Sequence, residues 1–130
     1  MENSILDRFQ RTLENIIENS QGEYKDCFFG MPNVSHLDVW NYFVFRRKKS
    51  FRSAKGEPVQ TNFELNVIHE DYIPEGFIDE LIKKLETKDE QGTKLKLCDN
   101  DITYSYIQKG NTNIVIEIAT IILTHPQKRG

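Results

Sequence analysis

The chain has 130 residues, 38% of them apolar, 28% charged and 11% aromatic, with a formal net charge of -3. That size and balance describe one globular domain over residues 1–130 with its own core, and exclude a disordered chain and an apolar run able to cross a bilayer. An acidic total also argues against a general nucleic-acid-binding domain, whose electrostatic footprint is basic.

The N-terminus, MENSILDRFQ, has an acid at position two and no apolar signal core, so synthesis in the cytoplasm is expected. Ser4 opens the first predicted helix, where Ser-Ile-Leu-Asp has capping-box spacing with Asp7 in place of the usual Glu. Ile5, Leu6, Phe9, Leu13, Ile16 and Ile17 then recur at helical intervals, and Arg8, Arg11, Glu14 and Glu18 fall on the other face. Asn19, Ser20 and Gly22 supply the stop. Glu23 to Leu37 reads as a loop, punctuated by Gly30, Pro32, Asn33 and Ser35.

From Asp38 the pattern changes. VWNYFVFRR is β-branched and aromatic on both faces and predicts an inner strand. VQTNFELNVIH alternates Val59, Thr61, Phe63, Leu65 and Val67 with Gln60, Asn62, Glu64 and Asn66, which predicts a strand with one packed and one wet face. The two strands flank a polar, Gly-containing connection and form an extended hairpin. A second helix is expected from Pro74, with Glu75 and Asp79 at its positive end, a stripe of Phe77, Ile78, Leu81, Ile82 and Leu85, and Lys83 and Lys84 toward its C-terminus. Strands follow at Ile102 to Gln108 and Asn113 to Thr124, with a short one at Lys94 to Leu97. NIVIEIATIIL is apolar on both faces and predicts a central strand. The expected fold is α+β in two layers: a mainly antiparallel sheet of 4–5 strands, two helices on one face, order α-β-β-α-β-β.

No catalytic constellation is expected, nor any metal or cofactor. His36, His69 and His125 lie in separate segments, and the HxD spacing of His36 and Asp38 needs further ligands to hold a metal. Cys98 to Asp101, CDND, lacks the Gly and the downstream Glu of a calcium loop. Cys27 and Cys98 stand far apart and read as reduced packing residues.

One stretch breaks the acidic background. FRRKKSFRSAKGEP places Arg46, Arg47, Lys48, Lys49, Arg52 and Lys55 within ten residues, around Phe51. Removing those six cations from the net charge of -3 leaves -9 for the rest of the chain. Held within a Debye length (~8 Å at physiological salt), they act as a local positive field despite the opposite total. A solvated hairpin tip that discourages edge-to-edge pairing is the plain reading; a docking element with an aromatic anchor is the functional one.

The arrangement of a first amphipathic helix, a hairpin, an acidic-started helix in HEDYIPEGFIDELIKKL and a meander ending in ITYSYIQKGNTNIVIEIATIILTHP resembles the tail terminator proteins of long-tailed bacteriophages and prophages, also called tail-completion or minor tail proteins. The resemblance spans nearly the whole chain and carries no catalytic residues. It implies a structural virion protein at the tail–neck junction: a ring, usually a hexamer, that caps the tail tube and offers the head-completion or neck proteins a docking surface. Under that reading Arg46, Arg47, Lys48, Lys49, Phe51, Arg52 and Lys55 form a subunit, tube or neck interface, DNA is at most a passing cargo, and no membrane is involved. The competing expectations are a head-closure or connector adaptor, which joins the head to the tail, and a small nucleic-acid-binding module using the hairpin as a β-ribbon.

Overall fold

Apolar side chains at odd-numbered positions of three long strands decide the architecture. The computed structural model describes residues 5–51, 60–87, 95–98 and 102–125. In chain order these form α1 (Ile5–Glu18), β1 (Asp26–Phe29), β2 (Tyr42–Phe51), β3 (Gln60–Glu70), α2 (Phe77–Glu86), β4 (Lys96–Leu97), β5 (Thr103–Gln108) and β6 (Val115–Thr124). The six-stranded sheet runs β1-β2-β3-β6-β4, and β5 also pairs with β6. β4 takes the Leu123–Thr124 end of β6 and β5 the stretch from Val115 to Thr120, so the two share one lane. Only β1 and β2 run parallel; every other pair is antiparallel.

Period-2 alternation puts Phe43 and Phe45 of β2, Phe63, Leu65 and Val67 of β3, and Ala119, Ile121 and Leu123 of β6 on one face. Both helices bury their stripes there, α1 through Phe9, Leu13 and Ile16 and α2 through Ile78, Leu81 and Leu85. Aromatic rings join the layers: Phe9 stacks on Phe45 at 5.5 Å and meets Phe63 at 5.6 Å. Tyr24 lies 4.7 Å from the ring of Phe43 on the sheet and 4.7 Å from Phe77 at the start of α2.

Both strands expected to be buried on two faces are interior: β2 lies between β1 and β3, and β6 between β3 and the shared lane. The fold is α+β with both helices on one face, but the order is α-β-β-β-α-β-β-β. The additional strand, β1, lies inside the expected loop from Glu23 to Leu37. Its four residues are too short to show a period, and tertiary pairing alone makes them a strand. The Lys25 N–H donates to Asn41 C=O at 2.8 Å and the Gly30 N–H to Phe45 C=O at 2.9 Å, which brackets the pairing with β2. The segment that follows covers the second sheet face, where Val34, Leu37 and Trp40 pack on buried Tyr42, Val44, Ile68 and Ile116. Asn66, expected on a wet face, is buried there, its amide donating to Glu64 at 3.0 Å. β2 accordingly begins at Tyr42 and not at Val39.

Two helix expectations also change. α2 starts at Phe77, three residues after Pro74, because Gly76 takes a left-handed conformation (φ 82) as its N-cap. Pro74 instead closes a turn in which the Phe77 N–H donates to its carbonyl at 3.1 Å. Arg8, assigned by periodicity to the polar face of α1, is buried. Its guanidinium crosses to the C-terminal end of α2 and donates to Leu85 C=O at 3.2 Å and to Thr87 C=O. Carbonyls left over at a helix end, and the negative end of its dipole, attract that cation. The capping serine at position 4 lies outside the described residues. Cys27 is buried but Cys98 is exposed, so only the first is a packing residue.

Replacing Arg8 by Met leaves two helix-end carbonyls without this donor and is expected to cost about 1.5–3 kcal/mol, with Arg8→Lys recovering part. Urea unfolding checks it as a lower midpoint at unchanged slope. The buried Tyr24 hydroxyl has no hydrogen-bond partner among the described residues. Tyr24→Phe should therefore be neutral or stabilising by up to ~1 kcal/mol, whereas Tyr24→Ala should lose about 3–5 kcal/mol.

Candidate functional site

Of the basic stretch expected at the hairpin tip and neighbouring strand ends, the structure describes the part in the first strand. Arg46, Arg47, Lys48 and Lys49 belong to the second half of β2, and Phe51 is its last residue; Arg52 and Lys55 lie outside the described residues. A bulge interrupts the β2–β3 ladder here, since Arg47 pairs with Phe63 and Lys49 with the adjacent Asn62. The inserted Lys48 and its neighbour Arg46 both turn to Glu64 of β3, at 3.6 and 3.8 Å. Pairs this exposed contribute little, about 0.2–1 kcal/mol each, but they tie two of the cations into the sheet's own charge balance. Arg47 and Lys49 point to opposite faces of the strand, and both are exposed. The positive charge thus rims the end of β2. Beyond it, Ser50 and Thr61 hold the ladder by a hydroxyl–hydroxyl contact of 2.8 Å.

The diagonally opposite corner carries a second feature, which sequence reasoning missed. β3 ends at Glu70, and Asp71 turns the chain in a left-handed conformation (φ 67), its N–H donating to Val115 C=O at 2.7 Å. Between this turn, the start of α2 and the β5–β6 pair lies an open groove of about 340 Å³. Tyr72, Tyr104, Glu75, Asp79 and Glu117 are among its lining residues, and among the described residues no Lys or Arg is. Glu117 braces one wall: it accepts from the Ile73 N–H at 2.7 Å and from the Tyr106 hydroxyl at 2.7 Å. That hydrogen bond holds the Tyr106 phenol above its usual range. All six residues of β5 are exposed, and Tyr104, Tyr106 and Ile107 present 50%, 59% and 46% of their surface. The available signal was TYSYIQ itself, whose alternation has no apolar-in, polar-out sense. At the other edge, Phe29 at the end of β1 and Met31 just after it are exposed as well.

A polar lock fastens the segment over the second sheet face. Glu70 accepts from the Trp40 N–H at 2.8 Å, its own N–H donates to the Asn41 side chain at 3.0 Å, and Lys109 closes an ion pair on its carboxylate. The Lys109 ammonium also donates to Asp38 C=O and lies 5.7 Å from the centre of the Trp40 ring. Burial works against ionised Glu70, but hydrogen bonds from Lys109 and Trp40 and the charges of Lys109 and His69 outweigh it, and its pKa is lowered.

Elsewhere the titratable groups are dispersed. His36 meets Asp26 at 3.4 Å, and His69 lies 3.4 Å from Glu23. Burial, reinforced by Glu14 and Asp26, pushes the Cys27 thiol up to about 12. Among the described residues no three His, Cys, Asp or Glu side chains converge as a metal needs, and no helix is long and apolar enough to cross a membrane. Asp99 and Asp101 lie outside the described residues. Compared with known proteins, the chain matches no family model, and no curated protein matches it significantly.

Because the folded pKa of Glu70 is lowered, its ionised form stabilises the fold above the ordinary carboxylate value of 4.5, and that contribution is lost as pH falls through the folded value. Thermal midpoints of the wild type and Glu70→Gln should differ at neutral pH and converge as the solution is acidified below that range. Fluorescence of Trp40, the single tryptophan, is the local probe; identical midpoints at neutral pH would show the lock to be idle.

Proposed function

We propose that this chain is a structural protein of a bacteriophage or prophage tail that closes into a ring, six-membered as in the family it resembles, and caps the completed tail tube. Its place is the tail–neck junction of the virion, after synthesis in the bacterial cytoplasm. Its partners are further copies of itself, the tube protein below and a neck protein above, with DNA passing through the bore. The observation that carries this reading is the distribution of exposed interaction chemistry. A rim of cations at the end of β2 and an aromatic, acid-lined groove beside β5 occupy opposite corners of one sheet. Two unlike surfaces on one subunit suit heterologous contacts, which close into a ring when the rotation between neighbours allows it.

Negative-stain imaging of purified tail tubes mixed with the protein tests the reading. Rings at one tube end and arrest of further polymerisation are expected. Attachment to head particles in place of tubes would make the protein a head-closure or connector adaptor. Tight, steeply salt-dependent DNA binding by a monomer would instead make it a nucleic-acid module. Arg47→Glu combined with Lys49→Glu should abolish tube capping while leaving the thermal midpoint within a few degrees of wild type. Arg46 and Lys48 are poorer probes, because reversing them sets like charges against Glu64.

A further inference from the structure

We infer that the groove between β5 and the start of α2 is the seat for the basic end of β2 from a second copy of this chain. The inference deepens the ring reading, on which it rests for its biological meaning, by naming both halves of the contact.

The groove has the chemistry of a cation receptor built for a side chain. Tyr72 and Tyr104 expose 70% and 50% of their surface and offer ring faces to a guanidinium or ammonium group. Glu75 and Asp79 supply negative charge from exposed positions, and Glu117 is held in the wall by its two hydrogen bonds. The turn that forms the floor is anchored by Asp71 on Val115, so the receptor is shaped before anything enters it. The free outer edge of β5 runs alongside, and among the described residues no strand pairs with it. An extended segment arriving there finds unpaired backbone groups as well as charge.

The occupant is identified by complementarity. The concentrated positive charge of this chain lies in a strand end, extended and exposed at Arg47 and Lys49. A molecule cannot fill its own groove. Phe63, opposite Arg47, and Glu70, at the groove end of β3, are separated by a strand length of roughly 23 Å at ~3.3 Å per residue. The two surfaces also lie in different lanes, β2 on one side of β3 and β5 beyond β6. Contact must therefore be head to tail, between copies.

Sedimentation velocity on the full chain tests this with two variants. Arg47→Glu with Lys49→Glu removes the basic end and keeps the groove; Tyr72→Ala with Tyr104→Ala removes the groove and keeps the basic end. All four side chains are exposed, and Glu75→Gln with Asp79→Asn is a second groove variant should the tyrosine pair unfold. Wild type should self-associate, less so as salt rises, and each variant alone should associate at least about tenfold more weakly. An equal mixture of the two should form a one-to-one dimer and nothing larger, since one intact end meets one intact groove. Wild type that stays monomeric at its highest soluble concentration, a variant that associates like wild type, or a mixture that stays monomeric would overturn the inference. Tube capping is scored separately: capping without complementation removes this contact alone, and complementation without capping removes the terminator reading alone.

Discussion

Tyr24 lies against two phenyl rings, one on the sheet and one on a helix, and the three form a triangle whose third side, Phe43 to Phe77, is 6.1 Å; most of the molecule is arranged around that cluster. Phe43 holds it from β2 and Phe77 from the first turn of α2, while His69 of β3 meets its edge at 5.5 Å. A ring fixed on three sides fixes the chain that carries it. It brings Asp26–Phe29 alongside β2 as a parallel edge strand, and it sets where α2 begins on the sheet. Burial also raises the pKa of its hydroxyl, with the Glu23 charge adding to the effect, so the residue serves as an apolar wedge with an idle polar tip.

From this follows the asymmetry of the two sheet faces. The helix face is sealed by α1 and α2, with Arg8 closing the seam between them at the end of α2. Among the described residues the other face has no helix and is covered in part by a non-repetitive segment, which needs fastening. Glu70 and Lys109 provide it, at 17% and 15% side-chain exposure, where an ion pair is shielded enough to matter and open enough to escape a full desolvation cost. The lock draws three separate pieces of chain together: the segment before β2, the end of β3 and the turn before β6.

The surfaces that remain exposed are the ends and edges. A bulge at Lys48 twists the end of β2 and divides its cations between the two faces, so that they form a collar around a strand and not a flat patch. β5 shares its lane with β4, leaves both its faces in solvent and shows tyrosines where a soluble edge strand more often shows lysine. Exposed aromatics at one corner and confined positive charge at another give this small domain two unlike surfaces.

The long elements were determined by the sequence alone. Alternation in β3, two-faced apolarity in β2 and β6, and the stripes of α1 and α2 are local patterns, readable because one-dimensional period maps directly onto a buried face. The basic cluster was legible as composition. Its bulge at Lys48 and its pairs to Glu64 were not, because pairing is settled by residues on the other strand. For the same reason β1 was invisible: four residues carry no period, and only β2 and Tyr24 make them a strand. Arg8 looked polar because helical spacing counts residues and cannot see a second helix's carbonyls arriving from 77 positions away. The groove was hidden most completely, since Tyr72, Asp79, Tyr104 and Glu117 come from four segments that meet only after the sheet has formed. Tertiary structure decides wherever the partner is distant in sequence, because free energy depends on proximity in space and the chain's order records none of it.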